Sequence, residues 1–235
     1  MSYDYSENIL VQESAGNLLC DELGWDVQFA YNKEVLGKNG TFGRTSYKEI
    51  LLKRYFNAAL KKFNPWINDE QILEAQRILE NRLSTSSLLQ INEEKYFLIR
   101  DGIKVTVKKP NGETEKQTAA LIDFKNPQNN YFLAVKELKI HGDLYRRRTD
   151  IVGFVNGIPL LFVELKKTTV DVQNAYEDNY TDYQDTIPHL FYYNAFVMLS
   201  NGTEAKVGTL GSKYEFFHEW KRLAEAERGS GAFET

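Results

Sequence analysis

Apolar residues recur every three to four positions in the first third of the chain, which is the spacing of a helix face. A first helix is predicted over residues 7–23. Gly24 would end it, because glycine readily adopts the left-handed conformation that follows many helices. Residues 52–63 carry the longest apolar face at this spacing and predict a second helix.

Two capping patterns mark helix starts. Ser46 with Glu49 has the spacing of a capping box, so the second helix is predicted to begin there and to end at Asn64-Pro65. Asn68 with Gln71 repeats the pattern and predicts the start of a third helix, whose apolar face runs to Leu83.

The middle of the chain changes to the alternating pattern of β-strands. Ile103, Val105 and Val107 alternate with polar residues, and the runs 118–124 and 131–140 are also rich in strand-forming residues.

Residues 149–166 contain two β-branched and aromatic runs on either side of Asn156-Gly157. Asn-Gly favours a type I′ turn, so this segment predicts a β-hairpin. Pro159 would lie near the start of the second strand, where its missing N–H is tolerated.

Further along, the pattern predicts a helix over 171–184, a buried strand over 195–200 and a last helix over 214–227, followed by a linker at 228–231. Helices, strands and then mixed elements in this order predict an α/β fold with a mixed sheet and helices on its faces.

Composition narrows the class of protein. The chain has 235 residues, 42% of them hydrophobic, so we expect an ordered domain with a sizeable core. It has no long apolar run and no secretory signal, and its one cysteine, Cys20, cannot form an internal disulfide. These features favour the cytoplasm and argue against a membrane protein.

Three charged residues of the hairpin are candidates for chemistry. Side chains alternate along a strand, so Glu164 and Lys166 share one face. Pairing symmetric about the turn places Asp150 opposite Val163, which brings Asp150 close to Glu164 at one end of the hairpin.

Charges beside an apolar strand are costly unless they pair or bind a cation. Carboxylate oxygens suit Mg²⁺, which can polarise a phosphate and activate water, while Lys166 can orient or deprotonate that water or stabilise developing charge. A plain salt bridge at a sheet edge is the alternative interpretation.

A basic run adjoins these acids. Arg146, Arg147 and Arg148 lead directly to Asp150, and Lys167 follows the lysine of the trio. Beside an acidic metal site, such residues favour contacts with DNA phosphates, although a solvated charge run is the alternative. The formal charge of −4 argues the other way, but it averages acids at the site with clustered cations elsewhere.

The block 147–166 resembles the nuclease motif of the R subunit (HsdR, the motor subunit) of type I restriction endonucleases. The segments 43–46, 131–137, 187–194 and 200–202 also resemble the N-terminal domain of that subunit, so the resemblance spans nearly the whole chain.

The resemblance implies a PD-(D/E)xK restriction-endonuclease-like core. Its metal-binding acids map onto Asp150 and Glu164, its catalytic lysine onto Lys166, and the backbone carbonyl of Leu165 would be a further metal ligand. An acid on the first helix often assists, and Glu13 matches that position, although an exposed helical glutamate is the alternative.

Two positions depart from the family pattern. Thr149 replaces a proline that supplies no metal ligand. On the helix after the lysine, Tyr183 fits the tyrosine of a Gln-x-x-x-Tyr motif, but Asn179 stands in place of glutamine and Gln173 lies too early. A purely core role for Tyr183 is the alternative.

The resemblance therefore implies a Mg²⁺-dependent DNA endonuclease domain, residues 1–212, followed by a helix and the start of a linker, residues 213–235. In the full subunit, a type I site-specific deoxyribonuclease, ATP would drive translocation, but this chain has no phosphate-binding loop. The expected partners are double-stranded DNA and the methyltransferase and specificity subunits. Another PD-(D/E)xK nuclease, or an inactive DNA-docking or assembly module, are the alternatives.

Overall fold

The computed structural model describes residues 7–82 and 85–220, with side chains from residue 11 onward. The α-helices of this part are α1 (Glu7–Asn17), α2 (Lys53–Phe63), α3 (Asp69–Glu80), α4 (Leu88–Asp101) and α5 (Thr181–Thr186). Two π-helical segments adjoin them, Leu18–Glu22 directly after α1 and Ala175–Tyr180 directly before α5. None of the helices is both long and apolar enough to cross a membrane.

The strands are β1 (Asp26–Phe29), β2 (Ile103–Lys108), β3 (Thr114–Ala119), β4 (Phe132–Lys136), β5 (Lys139–His141), β6 (Arg146–Arg148), β7 (Ile151–Val155), β8 (Ile158–Leu165), β9 (Phe196–Ser200), β10 (Ala205–Gly208) and β11 (His218–Glu219). Seven of them form the main sheet in the order β1-β4-β7-β8-β9-β10-β11. Its β1–β4 and β8–β9 pairs are parallel and the others antiparallel, so the predicted mixed α/β sheet is confirmed. The pairs β2–β3 and β5–β6 form two small antiparallel sheets.

The first predicted helix is confirmed. Together, α1 and the π-helical segment reach Glu22, and Gly24 has the left-handed φ of 68° expected after a helix. The third helix is also confirmed, with both capping hydrogen bonds between Asn68 and Gln71. Leu83, the last apolar residue predicted for that helix, lies outside the described residues.

The predicted start of the second helix is wrong, because α2 begins at Lys53 rather than at Ser46. The side chain of Glu49 accepts hydrogen bonds from the N–H and hydroxyl of Thr45, at 3.1 and 2.5 Å. The Ser46 hydroxyl accepts from the N–H of Lys48. These local bonds stabilise a turn, so the capping-box spacing has a different use here.

Other boundaries also differ from prediction. Only the first two residues of the predicted strand 118–124 lie in β3. Residues 214–220 do not form the predicted helix, because Tyr214–Phe216 is one 3₁₀ turn and β11 pairs with β10. Residues 221–235, with the rest of that helix and the linker, lie outside the described part, so the division after residue 212 stays a prediction.

The hairpin is formed by β7 and β8, with Asn156 and Gly157 at positive φ of 52° and 81° and Pro159 second in β8. Its ladder shifts register by one residue after Gly153, so Leu160 has no partner in β7. A Cβ on Gly153 would lie 2.8 Å from the Trp25 ring and 2.9 Å from a side-chain carbon of Leu161.

Both faces of the main sheet are covered. Helix α1 packs on one face against a small cluster that includes Val11, Leu161 and Val163. The larger core covers the other face, where residues such as Val152 and Phe162 pack with the remaining helices. The β7–β8 hairpin is therefore buried along most of its length, and polar atoms at its open end need partners.

Candidate functional site

The open end of the hairpin brings Asp150 and Glu164 together. Asp150 directly precedes β7, and Glu164 is the penultimate residue of β8. Because the bulge pairs Ile151 with Val163, continuing the ladder places Asp150 level with Glu164. The predicted pairing of Asp150 with Val163 is wrong by one residue, and the correction draws the two acids closer together.

Asp150 is held in a fixed orientation by two hydrogen bonds. Its Oδ2 accepts from the N–H of Leu165 at 2.7 Å, and its Oδ1 accepts from the side-chain amide of Gln12 at 2.8 Å. Burial raises the pKa of Asp150 above its ordinary value, and Glu137 raises it further, while these two hydrogen bonds act in the opposite direction. The carboxyl is thus positioned but poorly solvated.

Glu164 is only 3% exposed. Its Oε2 has no hydrogen-bond partner among the described residues. Burial raises the pKa of Glu164 well above its ordinary value, the neighbouring charge of Asp150 adds to this, and Lys166 opposes it. A buried carboxylate oxygen without a partner is costly, so this atom requires a cation or a proton.

Lys166 directly follows β8, and its side chain points toward the segment before α5. Its Nζ donates to Oδ1 of Asn179 at 2.5 Å and lies 3.7 Å from a carboxylate oxygen of Asp178. Its backbone N–H donates to the carbonyl of Ser200 on β9. The side chain is largely buried, and Asn179 and Asp178 hold the ammonium in a position from which its charge lowers the pKa of both Asp150 and Glu164.

A chain of polar contacts continues from the lysine. The Asn179 amide donates to the Tyr183 hydroxyl at 3.4 Å, which donates to the backbone carbonyl of Arg148 at 3.2 Å. The Tyr183 ring packs edge-on against Phe162 in the core, and burial raises its pKa. Tyr183 therefore has both a core role and a contact with the site, whereas Gln173 bonds to Glu177 on the surface.

The residue of α1 that reaches the acids is Gln12, not the predicted Glu13. Glu13 is exposed, while Gln12 is buried and bonds to Asp150. Val11, Ala15 and Leu19 face the sheet at helical spacing. Gln12 directly follows Val11, so it lies at the edge of this sheet-facing side of α1, and that helical position is the sequence signal for its contact with Asp150.

The arginine run does not act as one unit. Arg147 makes a two-point ion pair with Asp182 on α5, at 2.7 and 3.0 Å. Arg148 pairs with Glu137 at 3.0 Å and remains about half exposed. Arg146 is exposed, as is Lys167. A phosphate-contacting role for Arg147 would require it to leave a well-made ion pair.

The donors at the site suit a hard divalent cation. Asp150 and Glu164 provide carboxylate oxygens, one of them buried and unpartnered, and the Leu165 backbone lies against Asp150. The described part of the chain contains no cluster of three or more His, Cys, Asp or Glu arranged for a metal. Two carboxylates are a donor set that a hard cation with several bound waters can use.

The fold and the site define a class of protein, a mixed-sheet α/β domain that holds one buried carboxyl group, one half-buried carboxyl group and a lysine at one strand end. The family model described as Type I restriction enzyme R protein N terminus (HSDR_N) matches residues 4–216. The chain belongs to this family, as the resemblance in its sequence indicated.

Two curated relatives agree with this family. The chain is 31% identical over 212 residues to the type I restriction enzyme HindI endonuclease subunit of Haemophilus influenzae. The matched region covers 88% of the chain and 20% of that protein. It is 29% identical over 208 residues to the type I restriction enzyme SauCOLORF180P endonuclease subunit of Staphylococcus aureus, covering 88% of the chain and 19% of that protein. The chain thus spans about a fifth of the length of these relatives.

Proposed function

We propose that this chain is a Mg²⁺-dependent nuclease domain that hydrolyses phosphodiester bonds in double-stranded DNA. The observation that carries the proposal is the buried, unpartnered Oε2 of Glu164 beside Asp150. Family membership supports it, because the similar curated proteins are endonuclease subunits. The Asp150 and Glu164-x-Lys166 pattern on adjacent strands of a mixed sheet favours the PD-(D/E)xK class of fold.

In this mechanism, Asp150 and Glu164 would hold the cation, with the Leu165 carbonyl as a further ligand. When bound, the cation would supply Lewis acidity at a phosphate oxygen. The hydrogen bonds from Gln12 and the Leu165 N–H fix the Asp150 carboxylate before any ligand arrives. Little reorganisation is then required during the reaction.

Lys166 would act as a cationic hydrogen-bond donor toward the phosphate or the attacking water. Oδ1 of Asn179 accepts a hydrogen bond from the Lys166 ammonium at 2.5 Å, which orients the ammonium and limits its rotation. Asparagine is shorter than the family's glutamine, yet its Oδ1 reaches Lys166 here. Tyr183 orients the Asn179 amide from the other side.

The domain would serve as part of an R subunit in a type I restriction system. There, ATP-driven translocation would belong to segments outside this chain, and DNA sequence recognition to a separate specificity subunit that assembles with a methyltransferase subunit. The domain itself is expected to contact backbone phosphates with little base preference.

The first test is cation binding by the purified chain, measured by titration calorimetry with Mg²⁺. Asp150→Asn is expected to abolish binding, and Glu93→Gln, which removes an exposed carboxylate on α4, is the matched control. Mg²⁺ binding that survives Asp150→Asn would overturn the site. DNA binding without Asp150-dependent cation binding would favour the inactive docking module instead.

The second test is cleavage of supercoiled plasmid by an R subunit that carries this domain, with its partner subunits and ATP. Lys166→Ala is expected to reduce cleavage by at least a hundredfold, because one preorganised electrostatic contact typically contributes that much. Cleavage that persists at the wild-type rate would remove the lysine from the mechanism.

A further inference from the structure

The β5–β6 hairpin extends the β4–β7 pair of the main sheet, next to Asp150. Strands β4 and β7 are neighbours in the main sheet, and their chains continue past a bend into β5 and β6. At the bend, Glu137 has an unusual φ of 56°, and its N–H donates to the Asp150 carbonyl at 2.8 Å. The Thr149 N–H donates to the carbonyl of Leu138. The two faces of β5–β6 therefore begin directly beside Asp150.

One face of this small hairpin is turned inward. Ile140 and Arg147 lie opposite each other, Ile140 fully buried and Arg147 paired with Asp182. Because alternate residues of a strand point to opposite faces, the other two cross-strand pairs share the outward face. We call this outward face the basic face; it consists of Lys139 opposite Arg148 and His141 opposite Arg146.

Placing two cations directly opposite each other is normally destabilising. Here, the ring of Tyr31 lies 4.9 Å from Nζ of Lys139 and 4.5 Å from the guanidinium carbon of Arg148, so both cations contact one aromatic ring. Glu137 pairs with Arg148, and Asn32 accepts from Lys139 at 3.2 Å. The carboxylate of Glu137 offsets only part of the positive charge.

The outer end of the face is similar. The Tyr47 ring packs against the His141 ring, with centroids 4.8 Å apart. Burial, followed by the charge of Arg146, lowers the pKa of His141. The nearest acid at the hairpin tip, Asp143, already pairs with Lys48 at 2.9 Å. Arg146 therefore keeps its charge available, and aromatic rings alternate with cations along the face.

We infer that the basic face, together with Tyr31, binds the phosphodiester backbone of DNA next to the Asp150–Glu164 site. This inference rests on the proposed function, because it takes DNA as the substrate. A three-residue strand is about 7 Å long at the extension of about 3.3 Å per residue. Successive phosphates of one DNA strand rise about 3.4 Å along the helix axis and also turn around it, so their direct separation is greater than the rise and the face can engage about two of them. Its Arg148 end would hold the phosphate nearer the acids.

The test is the salt dependence of DNA binding. A short fluorescent duplex is titrated with the chain at several salt concentrations without divalent cation, and affinity is read from anisotropy. The Lys139→Gln/Arg146→Gln double variant is expected to weaken binding at least tenfold. It should also reduce the slope of log affinity against log salt by about 1.8, which is about 0.9 for each lost phosphate contact.

The matched control is Lys61→Gln/Lys108→Gln, which removes two exposed lysine charges on α2 and β2. It should leave the slope nearly unchanged, and Lys139→Arg should restore binding where Lys139→Gln weakens it. An equal loss of slope in both double variants would overturn the inference, as would a wild-type chain that does not bind duplex.

The same titration separates this inference from the proposed nuclease site. If Mg²⁺ does not bind but the Lys139→Gln/Arg146→Gln variant reduces the salt slope as expected, the metal site is wrong and the inference about the basic face is supported. If Mg²⁺ binds through Asp150 and the slope is unchanged, the opposite conclusion follows.

Discussion

Replacing Glu164 with glutamine should stabilise the protein in the absence of Mg²⁺ and should make it less stable than wild type when Mg²⁺ is present. In the absence of a cation, the native state holds a buried carboxyl group beside Asp150, with one oxygen unpartnered. Glutamine has nearly the same shape but no charge. The metal-free Glu164→Gln variant should therefore be more stable than wild type at pH 8.

The magnitude follows from the burial of this group. An unsatisfied buried polar group costs about 1–3 kcal/mol, and more when charged, and the amide recovers only part of that cost. We expect a gain of about 1–2 kcal/mol. For a domain of this size, 1 kcal/mol shifts Tm by about 2–4 °C, so Tm should rise by about 2–8 °C.

Mg²⁺ should act in the opposite direction. A ligand at a hundred times its Kd stabilises the native state by about 2.7 kcal/mol, which wild type gains and Glu164→Gln loses with its metal ligand. In saturating Mg²⁺, wild type should therefore melt above the variant. The assay is thermal unfolding followed by circular dichroism, in EDTA and in Mg²⁺.

The control is Glu93→Gln, which removes the same charge from an exposed position and should track wild type in both conditions. The reasoning is refuted if Glu164→Gln is less stable than wild type in EDTA, because Glu164 would then have a structural partner. It is refuted equally if Mg²⁺ raises the Tm of the variant as much as that of wild type.

Four further outcomes are expected. Burial raises the native pKa of Glu164, so protonation of this group favours folding. The free energy of unfolding without metal should therefore fall as pH rises from about 4 toward the raised pKa. In denaturant unfolding at a series of pH values, Glu164→Gln should show a weaker pH dependence than wild type. Gln12→Ala should weaken Mg²⁺ affinity about tenfold in calorimetry, as loss of an outer contact to a metal ligand does, whereas Glu13→Ala should not. Asn179→Ala should lower plasmid cleavage while Asn179→Gln keeps most of it; cleavage by Asn179→Ala at the wild-type rate would show that the amide contact to the lysine is irrelevant. Gly153→Ala should destabilise the fold by about 1–3 kcal/mol in urea unfolding, since its Cβ would overlap two packed side chains.

The hairpin and its charged trio were predictable because all their determinants lie within one short segment. The Asn156-Gly157 turn fixes the direction of both strands, and alternation fixes the faces of Glu164 and Lys166. The bulge at Leu160 was not predicted, although Pro159 beside it and Gly153 opposite Leu161 are residue types found at bulges.

Partners that come from distant segments could not be read from the sequence. Gln12 donates a hydrogen bond to Asp150, which lies 138 positions later in the sequence. Asp182 forms an ion pair with Arg147, which lies 35 positions earlier. The prediction of a helix over residues 214–220 was wrong for a related reason. Tyr214 and Phe217 pack against the ring of Tyr176, and this tertiary contact outweighs local helix propensity.

Helix α4, in contrast, could have been predicted. Ser87 and Gln90 form a complete capping box, and Ile91 and Ile99 follow on one buried face. The buried Lys95 interrupts the apolar pattern, and its ammonium donates to the carbonyl of Asn81 just beyond α3. A lysine at a core position is therefore the physical reason why periodicity alone is weak over this helix.

The unpaired Leu160 affects how sites of this kind should be sought in other sequences. Without Leu160, the residues from Leu161 to Val163 would keep the partners in β7 that they have now, and the ladder would simply become regular. Loss of any residue between Leu161 and Glu164 would instead move the carboxyl group to the wrong side of the sheet. Two chains that differ by one residue between their acids can thus share the same site geometry, so a search that demands a fixed spacing between the acids will miss true relatives.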